Sequence, residues 1–452
     1  MEVRLVPGIF IRHVKDESIV WCPRSGGCTL LCNAQPILDE LGYEWRDVDK
    51  IVRSLAARFA CEEGFVTEDV MMVVAEIVSQ RFAEIRCDDE ERALEYQGGC
   101  VVSHELSVNI NADNDDKSPF GDFYMRHSLP CELHMDLTDS CNERCIHCYL
   151  PQNRRHYLDN EIACKVLKEF REAQGMTVYI SGGECMLHRD FAGILRFAKS
   201  QDLNIVVMSN ATLCDNETIK LLKEVAPQFV NVSLYAINEQ VHDSITQVSG
   251  SCRKTKDAID KMLSAGVHVR IVTPFMHANK RCVAELQEFA AKRNVHFIAD
   301  CDIIGEIGQT CANQRCALSL SEFESLVQAN RDVFFKAKAE ANVCNSTAKV
   351  CDIGEGRLNL DAEGQYYPCD GFHGAIIGDA HSDTLMTVWN GDALKKLRAL
   401  KNGDFGMCAS CADRAWCKVC PMRNFNETGN MFTHAPWRCE AARIYRKIFE
   451  EK

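Results

Sequence analysis

Three closely spaced cysteines are the residues of this chain best placed to carry chemistry. Cys141, Cys145 and Cys148 follow a C-x3-C-x2-C pattern directly after a strand-like run at 132–138. Three thiolates on one short loop can hold three corners of a four-iron cluster, which leaves one iron open to a ligand other than protein. There are two alternatives: a zinc knuckle, because zinc also binds thiolates at short spacing, and a chance cluster in a cysteine-rich chain.

A second set of cysteines lies in the last quarter of the chain. It contains Cys344, Cys351, Cys369, Cys408, Cys411, Cys417, Cys420 and Cys439. Four of these cysteines follow a C-x2-C-x5-C-x2-C pattern, which is typical of metal or cluster binding. Zinc is again the alternative, since it also takes four thiolates.

The first cysteine loop begins a stretch in which strand-like and helix-like patterns alternate six times. We predict strands at 131–138, 177–181, 204–209, 229–236, 268–275 and 296–303. We predict helices at 159–174, 190–201, 215–226, 250–265, 280–293 and 319–341. This alternation predicts an α/β fold with a parallel sheet, here a partial (β/α)6 TIM barrel over 131–342. In such barrels, chemistry takes place at the carboxyl ends of the strands.

The ends of the predicted strands carry glycines and polar residues. Ser181-Gly182-Gly183-Glu184 follows the second strand, and Ser209-Asn210 follows the third. With the cysteine spacing, these segments resemble the radical S-adenosylmethionine (SAM) superfamily. In that family the open iron binds SAM, the Gly-Gly-Glu motif holds its amino group, and the strand ends contact its ribose and carboxylate.

The resemblance therefore implies a set of SAM contacts. We expect them from His147, Tyr149, Gly182, Gly183, Glu184, Ser209, Asn210, Ser233 and Arg270. Arg270 is the expected partner of the SAM carboxylate, and a structural ion pair is its alternative role. The glycines are expected to let the backbone approach the ligand closely.

Residues 343–452 resemble the SPASM extension of radical SAM enzymes that modify peptides and proteins. The family usually has three residues before its sixth cysteine, whereas this chain has two before Cys420. The resemblance implies two auxiliary four-iron clusters. The first would be bound by Cys344, Cys351, Cys369 and Cys420, and the second by Cys408, Cys411, Cys417 and Cys439. Cys344 lies outside the seven-cysteine core, so without it the first cluster would keep an open iron.

Residues 1–86 are expected to form a separate, winged-helix-like α+β domain, joined to the barrel by a linker at 87–130. Short strands at 8–12, 18–21 and 28–32 precede helical patterns at 34–41, 45–60 and 67–84. This order resembles the leader-peptide recognition domain of ribosomal peptide biosynthesis, which binds a peptide as an added strand. A purely structural cap is the alternative. A further strand is predicted at 104–110.

The composition argues against several classes of protein function. The net charge of −14 provides no basic surplus for nucleic acid. No apolar run reaches the roughly 20 residues that a membrane span needs, and the first residues do not form a signal peptide. With 26 cysteines and no export signal, the chain is expected in the cytoplasm with its thiols serving clusters.

The combined pattern predicts a radical SAM maturase of a ribosomally made precursor peptide, with three [4Fe-4S] clusters and SAM. The resemblance implies that a 5′-deoxyadenosyl radical starts the reaction and that the most favoured product is an intramolecular thioether from cysteine. Carbon–carbon crosslinking, formylglycine formation and a non-enzymatic iron–sulfur or zinc peptide scaffold are the alternatives. The expected partners are the precursor with its leader and an electron donor such as flavodoxin or ferredoxin.

Overall fold

The structure is a computed structural model that describes residues 1–87, 119–151, 154–307, 311–335, 345–372 and 374–450. The chain divides into two units, Met1–Leu129 and Pro130–Lys452. The strand predicted at 104–110 lies outside the described residues. The last part of the predicted linker is described, and it contains a helix.

The first unit contains six strands and four helices in its described part. The strands are β1 (Glu2–Leu5), β2 (Phe10–Val14), β3 (Glu17–Trp21), β4 (Cys28–Cys32), β5 (Arg46–Asp47) and β6 (Ala83–Arg86). The helices are α1 (Gln35–Leu38), α2 (Val48–Phe59), α3 (Glu63–Ser79) and α4 (Pro119–His127). The strands form two antiparallel sheets, ordered β2-β3-β4 and β5-β1-β6.

The β2-β3-β4 sheet is packed on both faces. Because side chains alternate along a strand, Val20 of β3 packs with the apolar residues of α2 and α3, whereas Trp21 points the other way. Trp21 contacts Phe120 of α4, with ring centroids 4.9 Å apart. Helix α4 therefore covers the face of the sheet opposite to α2 and α3.

The second unit is built on six parallel strands that follow one another in chain order. They are β7 (Glu132–Asp136), β8 (Thr177–Ser181), β9 (Asn204–Ser209), β10 (Phe229–Ser233), β11 (Val269–Pro274) and β12 (His296–Asp300). The intervening helices are α5 (Asn160–Glu172), α6 (Phe191–Ser200), α7 (Asn216–Val225), α8 (Glu239–Thr246), α9 (Ser251–Ser264) and α10 (Val283–Lys292). This arrangement confirms the predicted α/β fold with a parallel sheet.

The sheet continues beyond the six predicted strands. Strand β13 (Arg357–Leu360) pairs in parallel with β7, and β14 (Gln365–Tyr367) and β15 (Gly378–Asp379) follow as antiparallel strands. The nine strands run from β12 at one edge to β15 at the other. The remaining helices are α11 (Leu320–Ala329), α12 (Leu385–Trp389), α13 (Asp392–Arg398), α14 (Pro421–Thr428) and α15 (Pro436–Phe449).

The alternation of side chains along β7 explains how the sheet separates its core from its site. Leu133 and Met135 are fully buried in the apolar layer shared with the helices. Glu132, His134 and Asp136 occupy the other face of the same strand. The helices therefore supply the hydrophobic core, and the opposite face of the sheet carries polar groups.

Candidate active site

A cavity of about 270 Å³ lies at the carboxyl ends of the parallel strands and contains the first cysteine loop. Its walls come from that loop and from the strands β8, β9, β10 and β11. It is lined by Asp139, Ser140, Cys141, Glu143, Arg144, Cys145, His147, Cys148, Tyr149, Leu150, Pro151, Arg154, Arg155, Ser181, Gly182, Gly183, Met208, Ser209, Asn210, Asn231, Ser233, Tyr235 and Val272. The position agrees with the location of ligand sites in parallel α/β folds.

The three thiols of the first cysteine loop share this cavity. Burial raises the pKa of Cys141 to about 12, and the neighbouring Cys148 thiol adds to the increase. Burial also raises the pKa values of Cys145 and Cys148. Thiols with such pKa values stay protonated unless a cation stabilises the thiolate, and bound iron provides that charge. Three thiols that line one cavity are the donor set that an iron–sulfur cluster held at three corners would take.

Gly182 and Gly183 line the cavity, but their lack of side chains serves a contact within the protein. A Cβ on Gly182, where φ is +123°, would lie 2.2 Å from the carbonyl oxygen of Thr138. A Cβ on Gly183 would lie 2.3 Å from that of Ser140. The Gly183 N–H donates to the Thr138 carbonyl at 2.7 Å. The two glycines thus allow the end of β8 to pack directly on the start of the cysteine loop.

Glu184 is fully buried and is not among the residues that line the cavity. Its carboxylate accepts hydrogen bonds from the Met186 N–H at 3.1 Å, the Asn210 N–H at 2.8 Å and the Ser209 hydroxyl at 2.9 Å. Burial nevertheless raises its pKa above the usual value. Glu184 therefore connects the end of β8 to the end of β9.

Seven of the nine residues expected to contact SAM line the cavity. The two that do not are Glu184 and Arg270. Arg270 is the second residue of β11, near the amino end of that strand. Its guanidinium lies 3.4 Å from the ring centre of Phe229. The structure therefore does not bring Arg270 to the cavity.

His147 and Tyr149 reach the cavity from either side of Cys148. The His147 ring contacts Tyr235 edge-on, with centroids 4.9 Å apart, and burial lowers the pKa of His147 to about 4. Its Nδ1 is buried without a hydrogen-bond partner among the described residues. A neutral imidazole nitrogen in this position is available to a bound ligand.

Several cavity residues were not predicted from the sequence. Asn231 shares a strand face with Ser233, so the two-residue period of β10 could have identified it. Arg144, Arg154 and Arg155 lie in irregular loop segments, where no periodic pattern marks the side chains that face a site. These arginines place positive charge at the cavity.

The later cysteines form two separate groups. Burial raises the pKa of Cys351 to about 12, with a contribution from the Cys420 thiol, and both thiols act on Cys369. Cys351, Cys369 and Cys420 are therefore neighbours. Cys344 lies outside the described residues.

The second group contains Cys408, Cys411, Cys417 and Cys439. Burial raises the pKa of Cys439 to about 11, and the thiols of Cys417, Cys408 and Cys411 each raise it further. The two groups contain three of the four cysteines that the resemblance implies for the first auxiliary cluster and all four that it implies for the second. Among the described residues, no three His, Cys, Asp or Glu side chains are arranged to hold a single metal ion.

None of the helices in the described parts of the chain has the length and apolar character that crossing a membrane requires.

Two protein families match separate parts of the chain. The radical SAM superfamily matches residues 135–290, which include the cysteine loop and the Gly-Gly-Glu motif. The SPASM family, described as an iron-sulfur cluster-binding domain, matches residues 351–413.

Two curated proteins are similar to this chain over about two thirds of its length. The antilisterial bacteriocin subtilosin biosynthesis protein AlbA of Bacillus subtilis is 22% identical over 66% of this chain and 69% of its own length. An AdoMet-dependent heme synthase of Methanosarcina barkeri is 21% identical over 69% of this chain and 96% of its own length.

Among solved structures, Streptococcus suis SuiB bound to S-adenosylmethionine has a similar fold. The TM-score is 0.62 at 15% identity, over 96% of this chain and 99% of SuiB. SuiB bound to precursor peptide SuiA also has a TM-score of 0.62, at 14% identity, over 95% of this chain and 98% of SuiB. At these identities the similarity concerns the fold.

Proposed function

This chain is a radical SAM enzyme with a SPASM iron–sulfur domain, and we propose that it matures a ribosomally synthesised precursor peptide. The observation that carries the peptide substrate is the edge strand β4 in the first unit, which pairs on one side only among the described residues. AlbA, which takes part in bacteriocin biosynthesis by name, and SuiB, which was solved with a precursor peptide, support the same assignment.

The proposed leader site is the edge strand β4 with the adjacent side of α3. Within the described residues β4 pairs only with β3, and Cys28–Leu31 are partly exposed. Thr29 of β4 donates a hydrogen bond to Glu76 of α3 at 3.1 Å. An extended peptide can add to such an edge through backbone hydrogen bonds, while neighbouring pockets select its side chains.

Two large apolar side chains on α3 are exposed on the same side as Glu76. Phe65 is 69% exposed and Met72 is 66% exposed. Met72 is four residues before Glu76, and Phe65 is seven before Met72, so helical spacing places the three on one face. We assign this face to the apolar residues of the leader.

The cavity in the second unit is the proposed site of SAM. SAM and the cluster, when bound, supply a 5′-deoxyadenosyl radical that removes a hydrogen atom from an unactivated carbon. Seven residues would contact SAM: His147, Tyr149, Gly182, Gly183, Ser209, Asn210 and Ser233. Because Arg270 is remote from the cavity, we assign the SAM carboxylate to the arginines at positions 144, 154 and 155.

We propose three [4Fe-4S] clusters, one for each group of cysteines. The cysteine loop holds the SAM cluster, Cys351, Cys369 and Cys420 hold the first auxiliary cluster, and the 408–439 group holds the second. We propose Cys344 as the fourth ligand of the first auxiliary cluster. A flavodoxin or ferredoxin would supply the electrons.

The most favoured product is a thioether between a cysteine sulfur and a carbon of the same peptide, because auxiliary clusters can take up the electron released as the bond forms. Carbon–carbon crosslinking and formylglycine formation are the alternatives. Anaerobic reaction with SAM, reductant and the precursor should yield a peptide lighter by two hydrogens per bond. Loss of an alkylatable thiol then identifies a thioether. A leader-bound precursor that keeps its mass contradicts the proposal.

A further inference from the structure

The chemistry proposed above requires a group that accepts a proton, and this inference rests on that proposed function. When an intramolecular thioether forms, the carbon loses a hydrogen atom to the 5′ carbon derived from SAM. The thiol loses a proton and the C–S bond forms, and an oxidised iron–sulfur cluster, when bound, would accept the one electron that remains. A carbon–carbon crosslink also loses its second hydrogen as a proton and an electron.

A smaller cavity beside the cysteine cavity contains the carboxylates that are candidates for accepting this proton. It is lined by Asp136, Asp139, Leu150, Arg154, Asp361, Ala362 and Glu363. Three of these residues, Asp139, Leu150 and Arg154, line both cavities. A peptide residue that entered the main cavity would therefore be adjacent to the acidic groups of the smaller one.

Most of these carboxylates are already engaged. Asp139 accepts hydrogen bonds from the backbone N–H and the ring Nδ1 of His156, both at 2.7 Å. Asp361 accepts from two backbone N–H groups of its turn at 2.9 Å and from the Tyr367 hydroxyl at 3.1 Å. Glu363 lies at the surface, 3.7 Å from Arg154.

Glu143 also lines the main cavity but belongs to the cysteine loop itself. It accepts a hydrogen bond from the Ser251 hydroxyl and contacts the Cys145 thiol at 3.6 Å. Its carboxylate therefore supports the loop that would hold the cluster.

Asp136 differs from these groups in its surroundings. It ends β7 and is the register partner of Ser181 on β8, which lines the main cavity. The Ser181 hydroxyl lies close enough to favour the charged form of Asp136, and no ion pair with Asp136 is found among the described residues. Burial raises its pKa to about 8, and the carboxylates of Asp370, Asp361 and Asp139 add to the increase.

We propose that Asp136 accepts the proton that the peptide releases when its new bond forms. Tyr149, which lines the main cavity, lies close enough for the charge of Asp136 to act on its hydroxyl. A cysteine thiol has a pKa of about 8.5 in water, so a carboxylate with a pKa near 8 is well matched to take its proton. The charged or titratable groups around Asp136 are Asp139, Arg154, Asp361 and Glu363 of the small cavity, together with Tyr149 and Asp370; Ser181 is its uncharged neighbour.

The test compares D136N with E363Q, a carboxylate variant in the same small cavity. Each holoenzyme is reacted with precursor and SAM, and 5′-deoxyadenosine and crosslinked peptide are counted separately. D136N should still form 5′-deoxyadenosine, while crosslinked peptide per 5′-deoxyadenosine falls by about 10²-fold, the usual effect of removing a general base. E363Q should retain the wild-type ratio.

The outcomes separate the two proposals. Crosslinking by D136N at the wild-type ratio overturns the role of Asp136 alone. Formation of 5′-deoxyadenosine by the wild-type protein without any crosslink or other change in the peptide overturns the proposed function, and the role of Asp136 falls with it.

A second variant keeps the test decisive if D136N fails to fold. The Ser181 hydroxyl, beside Asp136 in the strand register, favours the charged form of Asp136, so S181A should raise its pKa. Infrared titration of the protein without SAM should show a carboxylic acid band that disappears near pH 8 in the wild type and at higher pH in S181A. The pH at which crosslinking begins should move in the same direction. An unchanged titration and pH profile in S181A overturn the proposal.

Discussion

The carboxylate of Glu184, which is fully buried, accepts a hydrogen bond at 2.8 Å from the backbone N–H of Asn210, a residue that lines the cavity. Asn210 in turn donates from its side chain to Asn142 of the cysteine loop at 3.0 Å. A single chain of contacts therefore joins the ends of β8 and β9 to the loop that carries the three thiols. The Gly-Gly-Glu motif acts through this connection as well as through its position at the cavity.

Replacement of Glu184 by alanine should destabilise the second unit. The change removes the acceptor of two backbone N–H groups, one buried and one partly buried, and a buried group left unsatisfied costs about 1–3 kcal/mol. Thermal unfolding of E184A should therefore begin at a clearly lower temperature than that of E217A, where an exposed glutamate has only a surface partner. Equal melting temperatures for the two variants would contradict the buried role of Glu184.

Replacement of Gly182 by alanine should displace the cysteine loop. The new Cβ would meet the Thr138 carbonyl at 2.2 Å, and backbone cannot move aside as a flexible side chain can. We expect G182A to lose iron from its SAM cluster and to cleave SAM slowly. G42A is the matched control, because nothing lies within 4 Å of a Cβ at that position. Normal iron content and SAM cleavage in G182A would show that the loop tolerates the side chain.

Replacement of Met72 by aspartate should weaken leader binding without altering the cavity. Charge on the apolar face of α3 should raise the dissociation constant of a labelled precursor about tenfold or more, as loss of a central apolar contact commonly does. Fluorescence anisotropy measures this change. F59D alters an apolar side chain on α2 that is also exposed, at 53%, and should bind normally. If F59D weakens binding and M72D does not, the leader site has been placed on the wrong helix.

Removal of thiols from the last cysteine group should lower the iron content by one cluster. Wild-type protein with three four-iron clusters holds about 12 iron atoms, and the double variant C408A/C411A should hold about 8. The exposed Cys61 lies in the first unit, so C61A should keep the wild-type content. Iron that is unchanged in the double variant, or replaced by zinc in the wild type, would contradict the second auxiliary cluster.

Much of the second unit follows from local patterns. Each parallel strand has a buried face, so its apolar residues and the following amphipathic helix are readable without tertiary information. The cysteine groups are also readable, because ligand spacing on a loop is a local property. The short strands β1 and β6 were not predicted, since Ala83–Arg86 gains its extended form by pairing with a segment about 80 residues away.

The roles of individual polar residues were less accessible. Whether Glu184 faces a ligand or the backbone depends on where β9 ends. Whether Arg270 lies near the carboxyl end of its strand, where the cavity is, depends on the strand register. Asp136 was not identified because its environment comes from Ser181, Asp361 and Asp370, which are distant in sequence. Such properties arise only when the strands are assembled.

The most direct measurement uses a precursor peptide deuterated at its non-exchangeable carbon positions. If the cavity generates a radical that acts on the bound peptide, the 5′-deoxyadenosine formed with wild-type protein should gain one deuterium by mass spectrometry. The C141A/C145A/C148A variant should form no 5′-deoxyadenosine. Formation of 5′-deoxyadenosine without deuterium, in the presence of bound precursor, would contradict the claim that this peptide is the substrate.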